Sequence, residues 1–530
     1  MEAKMFGVML DCSRDAVYSV ESLKNYIDIL AKMGYNTLQL YTEDTYEIKE
    51  EPYFGYLRGR YTTSELKELD DYAYRSGVEL MPCIQTLAHL GGFARWKPEM
   101  IDFNDILLAD DENTYALIDN MFKTCAECFR SRRINIGMDE AHMVGLGKYL
   151  DKHGYKNRTE ILVKHLNKVC EIADKYGFKP MMWSDMFFRL ACHGAYYAEN
   201  VEFAKEIIDL VPKNVDLVYW DYYHNEKQQY DSMLKAHKQF NNKTVFAGGA
   251  WSWIGFVPNN TGTMPRHEAA IEACIENGID DILITTWHDD GAECSLYATL
   301  PALFHAAQVL KGNSSIEGAK DEFEKIVGIS FDDFMAVDLP DRIDDDTTWT
   351  NPCKYMLYSD PFLGIFDKSV DESKTAKFAQ AKKKLAKGAK NEKYGYIFKT
   401  LASLCDIMEI KYTLGIRTRR AYRKNDKTEL EKLIGDYELA GKRVKKFYDN
   451  FRTQWHVESK GNGFEKHSAR LGGLMCRLGD CKQTLKDYCV GKITKIDELE
   501  EDILSQRNTP DGKALLYNRY FNIALIKPDM

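Results

Sequence analysis

The feature that most constrains the fold is a series of short apolar segments that alternate with helical patterns over roughly the first 290 residues. Each segment reads as a strand, because apolar and β-branched residues run together between turn signals. These segments span residues 5–10, 37–41, 78–84, 134–138, 180–183, 216–220, 244–249 and 281–287. Eight strands, mostly separated by helices, are the count and length of a (β/α)8 TIM barrel, which we predict for residues 1–310. A doubly wound sheet is the alternative, but no glycine-rich phosphate loop follows any segment.

Beyond about residue 310 the strand periodicity disappears and helical spacing dominates. The helical patterns span Gly318–Val327, Lys374–Lys387, Tyr394–Leu414, Lys427–Phe451 and Phe464–Tyr488. We therefore predict an all-α C-terminal domain over residues 311–530. Its apolar stripes, for instance Leu401, Leu404 and Ile407, need burial against the barrel and, in a homodimer, against a second copy.

Composition excludes several classes of function. The formal charge of −10 argues against a nucleic-acid partner. The 13 cysteines are scattered, which suits reduced thiols, and the pair Cys125 and Cys128 lies in a helical pattern without a second pair for zinc. No apolar leader precedes the first strand, and no apolar run reaches the length of a membrane span. We expect a cytoplasmic protein with no membrane, metal or cofactor requirement.

Two adjacent carboxylates, Asp139 and Glu140, follow the fourth segment. Ile134, Ile136 and Met138 alternate with smaller or polar residues, which predicts a buried strand that ends at this pair. Carboxylates so close together cannot both ionise cheaply, so one can retain a proton and act as a general acid. The alternative is an N-cap, in which one of the two begins the following helix.

Other predicted strands also end in carboxylates or tryptophans. The carboxylates are Glu43, Asp44, Asp185, Asp221, Asp289 and Glu293, and the tryptophans are Trp183, Trp220, Trp251, Trp253 and Trp287. Barrels of this type carry their sites at the C-terminal ends of the strands. Aromatic rings stack on the apolar faces of sugars and carboxylates accept hydrogen bonds from hydroxyls, so this set predicts a carbohydrate site. The alternative is that the tryptophans only cap the barrel core.

The segment Ile134–Glu140 resembles the signature of the family-20 glycoside hydrolases, the β-N-acetylhexosaminidases. Supporting matches follow in chain order at Met9–Arg14, Tyr41–Asp44, Gln85–His89, Met182–Asp185 and Trp287–Asp289. The resemblance covers roughly residues 5–310. It is closest to the intracellular subfamily that begins directly with the barrel and carries a helical C-terminal domain.

The resemblance implies exo-acting, substrate-assisted retaining hydrolysis of terminal β-linked GlcNAc or GalNAc. The 2-acetamido oxygen attacks the anomeric carbon and forms an oxazolinium ion. Asp139 would orient the acetamido N–H and stabilise the positive charge. Glu140 would protonate the leaving oxygen and then deprotonate water.

Further substrate-binding roles follow from the same resemblance. His89 matches the family's histidine near the acid, with a core histidine as the alternative. Asp289 matches a carboxylate that binds ring hydroxyls, and Glu293 is a rival for that role. The remaining candidates are Glu43, Trp183, Trp220, Tyr222, Trp253 and Trp287, of which Trp183, Trp220 and Trp287 match walls of the sugar pocket.

Two positions depart from the family pattern. Phe6 stands where we place the family's sugar-binding arginine, and we interpret Arg14 as structural. Ser252 stands where the family has the tyrosine that holds the acetamido oxygen. Tyr222 or Tyr223 could supply that hydroxyl, with Tyr222 preferred.

Two alternatives to substrate assistance stay open. One is a two-carboxylate retaining glycosidase with Glu140 as the acid and Glu293 or Glu43 as the nucleophile. The other is a carbohydrate-binding barrel that has lost catalysis, against which the intact Asp139–Glu140 pair argues.

Overall fold

Within the residues that the computed structural model describes, eight parallel strands close into a barrel. Those residues are 3–197, 201–289, 291–313, 315–343 and 351–504. The barrel strands are β1 Met5–Asp11, β2 Thr37–Tyr41, β3 Glu79–Cys83, β4 Arg133–Asn135, β5 Lys179–Trp183, β6 Asp216–Trp220, β7 Thr244–Gly249 and β8 Asp281–Thr286. Each strand pairs with the next, and β8 returns to β1, so the predicted (β/α)8 barrel is confirmed.

The barrel interior is filled by large apolar side chains from nearly every strand. The buried residues of this core cluster are Met5, Met9, Tyr41, Met81, Cys83, Met181, Trp183, Val218, Val245, Ala247 and Leu283. A parallel sheet covered by helices is buried on both faces, which explains why the strands read as continuous apolar runs. Trp220 and Trp287 pack on this cluster and are only partly buried. The interior is therefore a packed core, and ligands are restricted to its ends.

Helices follow the barrel strands and begin and end at ordinary capping residues. The side chain of Ser19 accepts a hydrogen bond from Ser22 N–H at the start of the first helix, and Gly34 ends that helix in the left-handed region. Thr62 and Glu65 form a capping box on the next one. The helices up to residue 310 are Val20–Met33, Thr63–Arg75, Gly91–Ala94, Glu112–Cys128, Lys148–His153, Arg158–Lys175, Asp185–Ala191, Lys205–Leu210, Lys227–His237, Asn260–Asn277 and Leu300–Leu310. Ile101–Phe103 and Ile106–Leu107 form a small antiparallel hairpin.

The predicted helical C-terminal region is also confirmed by the structure. Its helices are Lys320–Val327, Phe331–Phe334, Pro352–Tyr358, Thr375–Gly388, Gly395–Arg423, Lys427–Glu458, Phe464–Cys489 and Asp497–Glu500. Short 3-10 turns occupy Pro98–Met100, Lys238–Phe240, Ile316–Ala319, Met335–Asp341, Asp367–Ser369 and Glu372–Lys374. Residues 505–530 of the predicted domain lie outside the described residues.

The chain divides into two compact units whose bounds are interleaved in sequence. The first contains residues 1–251, 263–288 and 302–319, and the second contains residues 252–262, 289–301 and 320–530. The predicted division at residues 310 and 311 stays a prediction.

Apolar side chains of the long helix Gly395–Arg423 are buried within the chain, among them Leu401, Leu404 and Ile407. This helix packs against Thr375–Gly388 and Lys427–Glu458 within the second unit. The stripe therefore does not require a second copy, and the homodimer stays a prediction. In the described part of the chain, every helix is too short or too polar to cross a membrane.

Candidate active site

The backbone turns sharply where the two candidate catalytic carboxylates lie. Strand β4 ends at Asn135, and Gly137, Met138 and Glu140 then adopt φ values of 73°, 71° and 52°. Left-handed backbone is costly for a side chain other than glycine and is concentrated at functional sites. The predicted strand to Met138 is therefore too long. The N-cap alternative is also wrong, because the next helix begins at Lys148.

Gln85, directly after β3, holds this turn through three hydrogen bonds. Its Oε1 accepts from the Met138 N–H at 3.2 Å, and its Nε2 donates to Asp139 Oδ1 at 2.7 Å and to the Tyr41 hydroxyl at 3.0 Å. A Cβ added at Gly137 would lie 2.1 Å from Gln85 Oε1. The glycine therefore permits this close approach.

Asp139 and His89 form a buried ion pair. His89 Nε2 lies 3.2 Å from Asp139 Oδ2, and both side chains are largely buried. Burial alone would lower the pKa of His89, but the charge of Asp139 outweighs it and raises this pKa to about 10. Burial would likewise raise the pKa of Asp139, but the His89 charge and the Gln85 hydrogen bond hold it below its usual value. Both groups are therefore charged at neutral pH.

Glu140 occupies a different environment from its neighbour. Its side chain is 45% exposed, and its backbone N–H donates to Asp185 Oδ2 at 3.1 Å. One carboxylate oxygen lies 3.6 Å from Arg189 Nη2 and the other lies 3.9 Å from His89 Nε2. Asp139 is thus buried and ion-paired, whereas Glu140 is accessible. Enzymes give two acids different roles by placing them in different environments in this way.

Asp185 in the first turn and Arg189 in the last turn of the helix Asp185–Ala191 support Glu140. Arg189 Nε donates to Asp185 Oδ2 at 3.0 Å, four residues apart on the helix. Asp185 is fully buried, and this burial together with the Asp139 charge raises its pKa to about 7 against the opposing charge of Arg189. The sequence identified Asp185 only as a strand-end carboxylate, and nothing in it singled out Arg189.

Glu43 lies beside Arg14 at the ends of β1 and β2. The Tyr41 hydroxyl donates to Glu43 Oε1 at 3.1 Å, and Arg14 Nη2 lies 3.4 Å from the same oxygen. Burial raises the pKa of Glu43, opposed mainly by the Arg14 charge. Arg14 Nε also lies 3.7 Å from Asp11 Oδ2. The arginine interpreted as structural is therefore placed among the candidate site residues.

Phe6, at the position where the sequence comparison expected an arginine, faces the helical layer instead. Its ring stacks on Tyr35 with a centroid distance of 4.2 Å and an interplanar angle of 10°. Phe6 is buried, so this position of β1 contributes to the packing of the barrel.

The candidate aromatic residues of the first unit lie together. Trp183 is buried in the core, and its ring centroid is 6.0 Å from that of Trp287. Tyr222 is buried and stacks on Trp220 at 5.3 Å. Trp220 and Trp287 both pack on the core cluster that contains Trp183, so these rings extend from the core to partly buried positions, and we call them the aromatic wall.

Trp253, Asp289 and Glu293 belong to the second unit. Trp253 is partly buried and Asp289 is exposed. Glu293 is buried, with Lys354 Nζ at 2.6 Å, Arg470 Nη1 at 3.1 Å and the Tyr358 hydroxyl at 3.3 Å from its oxygens. The carboxylate of Glu293 is therefore engaged by side chains of its own unit.

The electrostatics of the site come from carboxylates, arginines and one histidine. Within the described ranges, no group of three or more His, Cys, Asp or Glu residues is arranged to hold a metal ion. The arrangement can therefore supply charge and move protons through its own side chains.

Two family models match the chain. Residues 5–247 match the catalytic domain of glycosyl hydrolase family 20, which places the barrel among the glycoside hydrolases. Residues 332–517 match the C-terminal domain of glycoside hydrolase 20C. The chain belongs to glycoside hydrolase family 20, and the resemblance drawn from Ile134–Glu140 is confirmed.

Individual relatives are distant. The probable beta-hexosaminidase of Arthroderma benhamiae is 21% identical over 232 residues, and hexosaminidase D of Bos taurus is 22% identical over 343 residues. The first match covers 37% of both proteins, and the second covers 58% of this chain and 92% of the bovine protein. The exo beta-N-acetylglucosaminidase of Vibrio harveyi, solved with N-acetylglucosamine, aligns at 16% identity and a TM-score of 0.48 over 63% of this chain and 58% of that one. The chain thus spans little more than a third of the length of the first relative.

Proposed function

We propose that the chain is an exo-acting β-N-acetylhexosaminidase that removes terminal β-linked GlcNAc or GalNAc by substrate-assisted retaining hydrolysis. The observation that carries the proposal is the contrast between Asp139, which is buried and paired with His89, and Glu140, whose side chain is 45% exposed. A fixed, buried charge suits electrostatic stabilisation, and an accessible carboxyl suits proton transfer.

In the first step the acetamido carbonyl oxygen of the substrate attacks the anomeric carbon. The bond from that carbon to the leaving oxygen breaks, and Glu140 gives its proton to the leaving oxygen. The sugar becomes an oxazolinium ion. Asp139 accepts a hydrogen bond from the acetamido N–H and stabilises the positive charge, while His89 and Gln85 keep Asp139 ionised and oriented.

In the second step water attacks the anomeric carbon from the face that the leaving group vacated. Glu140, now a carboxylate, takes a proton from this water, and the bond to the acetamido oxygen breaks. The product retains its β configuration because two inversions have occurred. Arg189 and Asp185 keep Glu140 in place through both steps.

The sugar-binding groups of the first unit surround this chemistry. Trp183, Trp220 and Trp287 form the aromatic wall on which the ring and acetamido group pack. Tyr222 lines the same wall. Arg14 donates hydrogen bonds to ring hydroxyls in this proposal, the role that the family gives to the position of Phe6, and its partly exposed side chain beside Glu43 supports this. In the second unit, Asp289 is exposed and is favoured over Glu293 as a further hydroxyl ligand, with Trp253 as an additional candidate.

The environments of the rival nucleophiles support substrate assistance. Glu43 is buried and held by Tyr41 and Arg14. Glu293 is buried between Lys354 and Arg470. Either carboxylate would have to leave these partners to reach an anomeric carbon, which costs the free energy of an uncompensated buried charge.

The test compares the purified protein on 4-nitrophenyl β-N-acetylglucosaminide and on 4-nitrophenyl β-glucoside. We expect turnover of the first substrate and none of the second, because the glucoside lacks the acetamido nucleophile. On methyl β-N-acetylglucosaminide, whose leaving group needs protonation, Glu140→Gln should lose most activity, whereas Glu171→Gln, at an exposed carboxylate on the helix Arg158–Lys175, should retain it. Cleavage of the glucoside at a comparable rate would indicate a carboxylate nucleophile. If neither substrate is turned over, the protein would be a carbohydrate-binding protein and not an enzyme.

A further inference from the structure

Three exposed aromatic side chains form a surface that the proposed catalytic site does not use. Tyr53 and Tyr56 lie in the loop after β2, and Trp96 lies in the segment after β3; they are 45%, 44% and 41% exposed. Tyr53 stacks on Trp96 at 5.4 Å and 18°, and Tyr56 meets the edge of Trp96 at 5.2 Å and 79°. We call Tyr53, Tyr56 and Trp96 the aromatic platform.

The two segments that carry the platform also contribute a buried aromatic layer. Phe54 and Phe93 are fully buried, with ring centroids 5.3 Å apart, and Tyr46 packs edge-on against Phe54 at 5.1 Å. An ion pair of 3.8 Å between Lys97 and Glu51 also joins the loops. The two segments are therefore held together, and the exposed rings pack on one another, which reduces the entropy that would be lost when a ligand binds.

The same loops are tied to the candidate active site at their bases. Asp44 follows Glu43 and pairs with Arg58, two residues beyond Tyr56. A Cβ added at Gly92 would lie 2.6 Å from Asp44 Oδ2, so the segment that carries Trp96 passes directly beside this pair. That segment begins just after His89, the partner of Asp139. The platform therefore belongs to the loops at the barrel end where Glu140 lies.

We propose that the aromatic platform binds a sugar ring of the leaving group, beyond the glycosidic bond that is cleaved. Flat, rigid aromatic faces match the apolar faces of pyranose rings, and long flexible side chains do not. The three rings at their observed exposure offer roughly 300 Å², well below the ~800 Å² per partner that a stable protein interface buries. This area suits one or two sugar rings. The inference rests on the proposed function, because it assigns the platform to that reaction's substrate.

The test uses two substrates that differ only on the leaving-group side, methyl β-N-acetylglucosaminide and the β-1,4-linked trisaccharide of GlcNAc. We would measure kcat/KM for each by chromatography of the released sugar. For Trp96→Ala, the trisaccharide-to-methyl ratio should fall about tenfold. Trp96→Phe, which keeps an aromatic face, should retain most of the ratio. Tyr74→Ala is the matched control, because Tyr74 is 69% exposed near the C-terminal end of the helix Thr63–Arg75, which leads into the start of β3 and so lies away from the C-terminal ends of the strands.

Binding separates failure of the platform from failure of the proposed function. Calorimetric titration of the trisaccharide into Glu140→Gln, with and without Trp96→Ala, should show weaker binding in the double variant. This holds even if the wild-type protein hydrolyses neither substrate. The inference would be overturned if Trp96→Ala and its parent protein had the same trisaccharide-to-methyl ratio of kcat/KM and bound the trisaccharide equally well. A Trp96→Ala variant with unchanged ratios that dissociates from dimer to monomer in ultracentrifugation would also overturn it, since the occupant would then be a second copy.

Discussion

His89 Nε2 and Asp139 Oδ2 lie 3.2 Å apart in a largely buried pair, and the second oxygen of Asp139 is held by Gln85. This relationship fixes both the charge and the direction of Asp139. An electrostatic stabiliser acts most strongly when its partners hold it in place before the reaction begins. We therefore expect the His89–Asp139 pair to contribute both to the stability of this end of the barrel and to the proposed reaction.

His89→Gln should destabilise the protein in a pH-dependent way. The pKa of His89 is raised from 6.5 to about 10 on folding, so its stabilisation is complete below about pH 6.5 and is lost as pH rises through 10. The variant should be less stable by about 3 kcal/mol at pH 6, since it leaves Asp139 unpaired, and the difference should shrink toward pH 10. Urea unfolding at several pH values measures this difference. A difference that stays constant with pH, like that expected for the exposed His153→Gln control, would contradict the paired imidazolium.

Asp139→Asn should reduce kcat by roughly 10²–10³, comparable to the loss of other electrostatic stabilisers. The amide keeps the size of the side chain but cannot neutralise the oxazolinium charge. Steady-state kinetics on a β-N-acetylglucosaminide measures the loss. If Asp139, Glu43 or Glu293 instead acted as a covalent nucleophile, a fluorosugar inactivator would label that carboxylate, and peptide mass spectrometry would locate the adduct.

Glu140→Gln should lose most of its turnover on substrates with poor leaving groups and less on nitrophenyl glycosides. An activated phenolate leaves without much protonation, so loss of the acid matters less for it. The measurement is kcat/KM across a series of aryl and alkyl β-N-acetylglucosaminides. Equal losses across the series would show that Glu140 is not the proton donor.

Asp185→Asn should change the pH dependence of stability in the acid-to-neutral range. Folding raises the pKa of Asp185 from 3.8 to about 7, so the wild-type protein loses stability as pH rises from about 4 to 7, where the unfolded state has released a proton that the folded state still holds, and the loss levels off above pH 7. The variant avoids this cost, and its stability relative to wild type should improve from pH 5 to pH 8 on the order of a few kcal/mol. Unfolding free energies at both pH values test this. A relative stability that does not change, as expected for the exposed Asp151→Asn, would argue against the buried acid.

The sequence predicted which strands and helices form more accurately than it predicted the residues at which they end. Alternation of Ile134, Ile136 and Met138 reflects burial, but the strand stops at Asn135 because left-handed residues cannot continue a ladder. The helix predicted to end at Leu414 continues to Arg423. Gly415, the residue after the predicted end, is instead a packing glycine, since an added Cβ would lie 3.0 Å from Pro361 O. Both errors arise from tertiary contacts that local patterns do not encode.

The neighbourhood of the candidate site was predictable, but its pairings were not. Barrel closure brings the ends of all strands together, so the Asp139–Glu140 pair, His89 and the tryptophans could be grouped from the order of the strands. The role of Gln85 depends on the left-handed backbone that brings Met138 and Asp139 to its side chain. The role of Arg189 depends on the direction in which its side chain leaves the helix Asp185–Ala191. The contacts of Arg14 with Glu43 and Asp11 were not predicted, because a sequence pattern does not state which way a side chain faces beyond the end of a strand.

The most direct test of substrate assistance is the rate with substrates whose acetamido group carries zero, one, two or three fluorines. Fluorine withdraws electrons from the carbonyl oxygen and leaves its position nearly unchanged. If that oxygen is the nucleophile, with the acetamido N–H held by Asp139, kcat/KM should fall steeply with each fluorine. A rate that is nearly independent of fluorine number would contradict the oxazolinium intermediate and return the nucleophile to a carboxylate of the protein.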